Sequence, residues 1–278
     1  MININFSDSF KSLCENYQFE NPKMLIKFIN DNLAHDGSIT GDYNIHNIQW
    51  PEMLLKSCIG NCIDLSVFVY YVYYYLKNLP FKKYKYDACI LLMNILALSI
   101  EDMSNKENVY RFFSHAVPII KINDDFYEVN CDSYFSKNGM KIRDSNYIGP
   151  FKSFEDAANK IFGYFQSTIL KYNEGNFKNF ENKQYEKYCL LYEKDMNYIS
   201  SFYGKENIRQ KDLLNNIPKA REMQYLFDSV VKTVSTNVIY MPTNNNTYRM
   251  MKYLGFTKYS INKNLKSSYY KTKLFKSK

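Results

Sequence analysis

The sequence predicts an α+β protein, and three observations carry that prediction. The run Cys62–Leu76 (CIDLSVFVYYVYYYL) is apolar nearly all round, lacks a turn signal and is too long for an ordinary strand, which describes a helix buried within a domain. Two extended segments, Ala116–Asn123 and Phe126–Cys131, meet at Asn123-Asp124-Asp125 and read as a β-hairpin. The C-terminal third then runs strand, strand, helix, strand, helix, strand.

Taken in order, Asn21-Pro22 supplies a helix N-cap followed by proline at the first helical position. Met24, Leu25, Phe28, Ile29 and Leu33 follow at helical spacing, with the helix ending near Asp36-Gly37. The polar residues Ser38–Trp50 form a loop. Asn61 stands where a cap would start the buried helix, and Tyr86–Leu92 is a strand after Leu79-Pro80. Glu101–Asn108 is a surface loop, Asn138–Pro150 is irregular and Ser153–Lys171 is helical. The Asn-rich stretch Asn173–Lys183 marks a domain boundary, giving domains at 1–172 and 184–278. Beyond it, Tyr185–Lys194 and Asn197–Tyr203 read as a hairpin, Ala220–Thr233 as a helix, Asn237–Met241 as a strand and Asn246–Leu254 as a helix closed by Gly255-Phe256.

Composition limits the possible functions. Hydrophobic residues make up 46% and charged residues 23%, an ordinary globular mixture. The 27 Tyr and 20 Phe, with abundant Lys, Asn and Ile, fit the codon bias of an AT-rich genome. A net charge of +8 is dispersed except in the basic, aromatic tail Lys258–Lys278, so there is no strong nucleic-acid signal. The six cysteines are spread along a chain large enough to fold without disulfides, and the opening MININFSDSF lacks the basic and apolar regions of a secretory leader. The longest apolar stretches fall short of the roughly 20 residues a membrane span needs. The expectation is a cytoplasmic protein with reduced thiols and no membrane span.

Three residue types in sequence order suggest chemistry. A cysteine in the first turn of a buried helix sits among unpaired N–H groups at a positive helix end, which favour the thiolate. An imidazole can take its proton, and a carboxylate on the other ring nitrogen fixes the tautomer. Cys62, His115 and Asp132 supply these groups. Because hairpin arms are antiparallel, His115 at the start of the first arm and Asp132 after the second are expected to be neighbours. Singly, each has a plainer reading as a core thiol, a structural histidine or a turn former; their conjunction points to catalysis.

The stretch Gly60-Asn61-Cys62-Ile63-Asp64-Leu65-Ser66 before the apolar helix resembles the Gly-x-Cys helix start of transglutaminase-like proteins. His115-Ala116-Val117 and Asp132 resemble their His and Asp motifs. The resemblance covers about Met53–Phe135 and implies a papain-like core, in which a central Cys-bearing helix packs on an antiparallel sheet. It also implies a cysteine-nucleophile peptidase, amidase or amide-transferring enzyme acting through a thioester on a protein or peptide substrate, with no cofactor. The superfamily includes inactive relatives, so a binding module on the same fold is the alternative. The oxyanion donors expected are the backbone N–H of Cys62 and the side chains of Gln49 and Trp50. Cys58 is a rival nucleophile for which Gly60 is wrongly spaced. Cys58 and Cys62 with His35 or His46 make a poor zinc set, since no second close-spaced ligand pair exists, so no metal is expected.

Val238-Ile239-Tyr240 and Asn246–Phe256 resemble the late part of GNAT-type N-acetyltransferases, implying a GNAT-like α/β accessory domain. Ile217–Met223 lacks the glycine that would let a backbone approach a pyrophosphate. Tight acetyl-CoA binding is therefore not expected, and an acetyltransferase is the other alternative.

Overall fold

A computed structural model describes residues 4–35, 47–99, 109–131, 134–135, 141–143, 145–172, 177–178, 186–225 and 237–242. The chain opens with a helix the sequence reading did not anticipate, α1 (Asp8–Tyr17), capped by Ser7 and burying Phe10 and Cys14. Helix α2 (Pro22–Asn32) starts as expected: the Asn21 side chain accepts a hydrogen bond from the Met24 N–H at 3.1 Å. It ends before the expected Asp36-Gly37 because Leu33 turns extended and leads into β1 (Ala34–His35), which pairs in parallel with β2 (Ile59–Gly60). Between these two strands lies a second unanticipated helix, α3 (Pro51–Ser57), entered through a proline at its first turn.

The apolar run is the helix α4 (Cys62–Asn78), buried from Ile63 through Tyr73. It is followed by the long strands β3 (Tyr86–Ser99) and β4 (Val109–Ile122) and by β5 (Asp125–Asn130). The expected hairpin is present with Ile122 opposite Asp125, and Asn123 takes the left-handed conformation the tight turn needs. Its first arm begins earlier than expected, at Val109 rather than near His115. Further on comes β6 (Tyr134–Phe135), then β7 (Lys141–Arg143) and most of β8 (Asn146–Phe151) in the stretch Asn138–Pro150 expected to be irregular, then α5 (Phe154–Tyr172) as expected. The C-terminal part contributes β9 (Phe177–Lys178), β10 (Glu186–Leu191), α6 (Glu193–Ser200), α7 (Gln210–Asn215), helical residues 218–225 and β11 (Asn237–Pro242). Asn197–Tyr203, expected as a hairpin arm, instead lies in and after α6, where Asp195 closes the first turn by accepting the Tyr192 N–H. Met196 and Ile199 point into the core at helical spacing.

The main sheet is antiparallel in the order β10-β3-β4-β5-β8. Strand β4 pairs with β3 on one edge and shares the other between β5 and the parallel β11. Alternation divides its residues between two cores. Ala88, Ile90, Leu92, Ala116, Ile120 and Val129 face α4, together with side chains of α1, α2 and α3. Cys89, Leu91, Met93, Val117 and Ile119 face α5.

The α4-side core also takes in Leu191, Met196, Ile199, Leu213, Ile217 and Met223. Residues on both sides of Asn173–Lys183 therefore share one sheet and one core, which corrects the boundary expected there. Lys77 reinforces the join by pairing with Asp87 of β3 and Glu193 of α6, at 3.1 and 2.8 Å. The chain is thus α+β, with a long buried helix on an antiparallel sheet.

Candidate active site

Cys62 is the first residue of α4 and is half-buried. Gly60 sets its approach. A side chain there would stand 2.7 Å from Leu54 Cδ1 and 2.9 Å from Asp64 Cβ, so only glycine lets β2 run this close to the helix start. Asn61 is the N-cap. Its Oδ1 accepts from the N–H groups of Ile63 and Asp64, both at 3.1 Å, and the Asp64 carboxylate accepts the Asn61 N–H at 3.0 Å, completing a capping box. Gln210 of α7 donates to the same Asn61 oxygen at 2.9 Å, so the C-terminal part buttresses the turn that carries Cys62.

This cap also moderates the electrostatics. Asp64 is fully buried two residues after Cys62, in the same first turn, and its negative charge offsets part of the positive helix end that would favour a thiolate.

Gln49 and Trp50, expected as oxyanion donors, serve structural bonds. The Gln49 amide donates to the Ile59 carbonyl at 2.8 Å, and its oxygen accepts from Ser57 Oγ at 2.6 Å. Its backbone N–H goes to Asp64 at 2.9 Å. Trp50 is buried, with its indole N–H donated to the Lys205 carbonyl at 2.9 Å. Their polar groups are occupied in fixing the segments around the cysteine turn.

His115 lies on β4 opposite Met93 and has the same strand parity as Val117 and Ile119. Its ring stacks on Phe165 of α5 at 5.9 Å between centroids. The imidazole is therefore on the α5 face of the sheet, whereas Cys62 packs against the α4-side core. The hairpin was expected to present His115 toward the cysteine helix. A strand sends successive side chains to opposite faces, so a register one residue different decides this. Asp132 lies outside the described residues, as do His46 and Asn246–Phe256.

Among the described residues, the histidine whose backbone adjoins the cysteine turn is His35. It is buried, and β1 pairs it with Gly60, two residues before Cys62. In the sequence His35 stands out only as a candidate zinc ligand beside Cys58 and Cys62. Nothing local in the sequence announces that a two-residue strand, far upstream, runs beside Gly60.

Among the other cysteines, burial pushes the thiols of Cys14, Cys58, Cys89 and Cys189 up, which keeps them protonated. For Cys189 the value rises to about 12. Cys131 is buried behind β5, with Sγ 3.7 Å from the Val129 carbonyl. No helix among the described residues is long and apolar enough to cross a membrane. Comparison with models of known protein families returns no match for this chain, and comparison with curated proteins returns none either.

Proposed function

We propose that the protein is a cysteine-nucleophile acyl-transfer enzyme of the transglutaminase-like, papain-like kind, acting on a protein or peptide. In this reading Cys62 Sγ attacks an amide or ester carbonyl. Its proton passes to an imidazole and then to the leaving group, and the resulting thioester is resolved by water or by an amine. The observation that carries the proposal is the position of Cys62. It is half-exposed at the first residue of a long buried helix packed on an antiparallel sheet, beside a glycine whose absence of a side chain permits the approach.

The proton acceptor of the sequence reading is His115, oriented by Asp132. With His115 on the α5 face, that role requires β4 to present it on the opposite side of the sheet. His35, paired with Gly60, competes for the role. A second reading, a binding module without turnover, is favoured by the same face of His115 and by the Asp64 charge at the helix start.

Alkylation by iodoacetamide at pH 6–7, followed by intact-mass and peptide mapping, tests the proposal. Cys62 should be modified first, well ahead of Cys58, and Cys62→Ala should remove the fast phase along with any hydrolase or transferase activity. Slowing by His115→Ala but not His35→Ala assigns the base to β4, and the reverse assigns it to β1. If neither matters and Cys62 reacts no faster than Cys58, the nucleophile assignment is lost and the binding module is the better account.

A further inference from the structure

Away from Cys62, the segment before α1, the start of α3 and the turn after α6 line an open, solvent-facing cavity of about 450 Å³. Sites for small ligands occupy roughly 300–1,000 Å³. Three aromatic rings form its wall, with Tyr203 at 5.3 Å from Phe6 and 5.0 Å from Trp50 between centroids. Two carboxylates line it as well, Glu52 from the first turn of α3 and Glu206 at the exposed rim.

Glu52 is held in place by neutral donors. The Tyr203 hydroxyl lies 2.9 and 2.8 Å from its two oxygens, and the Ser7 N–H donates to Oε1 at 3.1 Å. Burial, reinforced by the Glu52 charge, pushes the Tyr203 phenol up, so it remains a donor. No lysine or arginine among the described residues forms an ion pair with Glu52 or Glu206. The neighbouring Lys205 instead places its ammonium over the Phe202 ring, 5.0 Å from the centroid. In a chain of net charge +8, two carboxylates without a base facing one aromatic-walled cavity form a local negative site.

We propose that this cavity binds an alkylammonium group, whether a free primary amine or a lysine side chain. Glu52 would be its counter-ion, Glu206 would attract it at the rim, and the aromatic wall would take the methylenes and the face of the cation. Aromatic rings and a pre-oriented carboxylate together suit such a cation better than a metal ion, which prefers several oxygen ligands, or an anion, which the carboxylates repel. The proposal does not depend on the chemistry of Cys62.

Trp50 is the chain's single tryptophan and lies in the cavity wall, so its fluorescence reports occupancy directly. The full chain is titrated with n-pentylammonium, with Nα-acetyl-lysinamide and with uncharged n-pentanol, and calorimetry checks the fluorescence. Saturable binding of one or both cations, with n-pentanol at least about tenfold weaker, is expected from the loss of a charge-assisted contact. Tighter binding of the blocked lysine points to a protein side chain as the natural occupant, and tighter binding of pentylammonium points to a free amine. Glu52→Gln, which keeps an acceptor for Tyr203, should weaken the cations roughly tenfold, and the rim variant Glu206→Gln should weaken them a few fold. Equal affinity for pentylammonium and pentanol, no saturation by either cation, or unchanged cation affinity in a folded Glu52→Gln or Glu206→Gln protein would overturn the proposal.

Discussion

The two faces of the central sheet are built on different terms. On the α4 face, helices from both ends of the chain converge on one aromatic core. Buried polar groups there are tied down: Tyr73 donates to the Phe19 carbonyl at 3.2 Å, and Asp64 accepts from Asn61 and Gln49. On the α5 face one helix covers a smaller core, and Glu128 is buried opposite Ile119 with no hydrogen-bond or ion-pair partner among the described residues. A face closed by many elements brings partners to most of its buried polar groups. A face closed by one helix tolerates a group that is merely desolvated.

The largest expected difference is in packing. Phe68, fully buried in α4, is surrounded by elements that cannot all settle into a cavity, so Phe68→Ala should cost about 4 kcal/mol. Ile161 of α5 is nearly as buried, but the single helix that carries it can shift, and Ile161→Ala should cost about 2 kcal/mol. Urea unfolding midpoints measure both. Equal losses would mean that the α5 face is as constrained as the α4 face.

Glu128 gives the next effect. Burial pushes its carboxyl up to about 7 from an ordinary 4.5. Because the folded state holds the proton more tightly, stability is greatest below about pH 4.5, declines as pH rises and levels off above about pH 7. The contribution lost is on the order of 3 kcal/mol. Glu128→Gln should flatten that decline and raise stability above pH 7, as read from urea midpoints across pH 4–8. A wild-type profile that rises between pH 5 and 7 and is unchanged by the substitution would show that Glu128 has a partner in solution.

The same contrast explains what was legible in the sequence. Helices α2 and α4 and the β4–β5 hairpin announce themselves through local signals: Asn21-Pro22, the long apolar run, and Asn123-Asp124 between extended arms. Helix α3 is too short for periodicity to register, and α1 buries only Phe10 and Cys14 among mostly polar residues, too sparse an apolar stripe to announce a helix. The expected domain boundary failed because a polar, Asn-rich segment looks alike whether it leaves a domain or loops back to it. Only β10 pairing with β3 reveals the return. For the site, Gly60-Asn61-Cys62 was readable because the cap and the glycine are local requirements. The face of His115 was not, since it depends on strand register, and neither was His35, whose place is set by pairing with Gly60.

The smallest effect tests whether the polar groups of the α4 face are as well satisfied as their pairing suggests. Asn61 Oδ1 accepts three hydrogen bonds, yet its Nδ2 is buried without a hydrogen-bond partner among the described residues. Asn61→Ala removes the cap and leaves Gln210 without its acceptor, so it should cost about 1–2 kcal/mol. Asn61→Ser keeps an N-cap oxygen and deletes the orphaned donor, whose burial costs about 1–3 kcal/mol, and that gain should bring the variant close to wild type. Thermal and urea unfolding of the two variants give the comparison. If Asn61→Ser is as unstable as Asn61→Ala, the Nδ2 group is satisfied in solution by a bound water. The cysteine turn would then be a hydrated, fully bonded structure, and no strain would be stored beside Cys62.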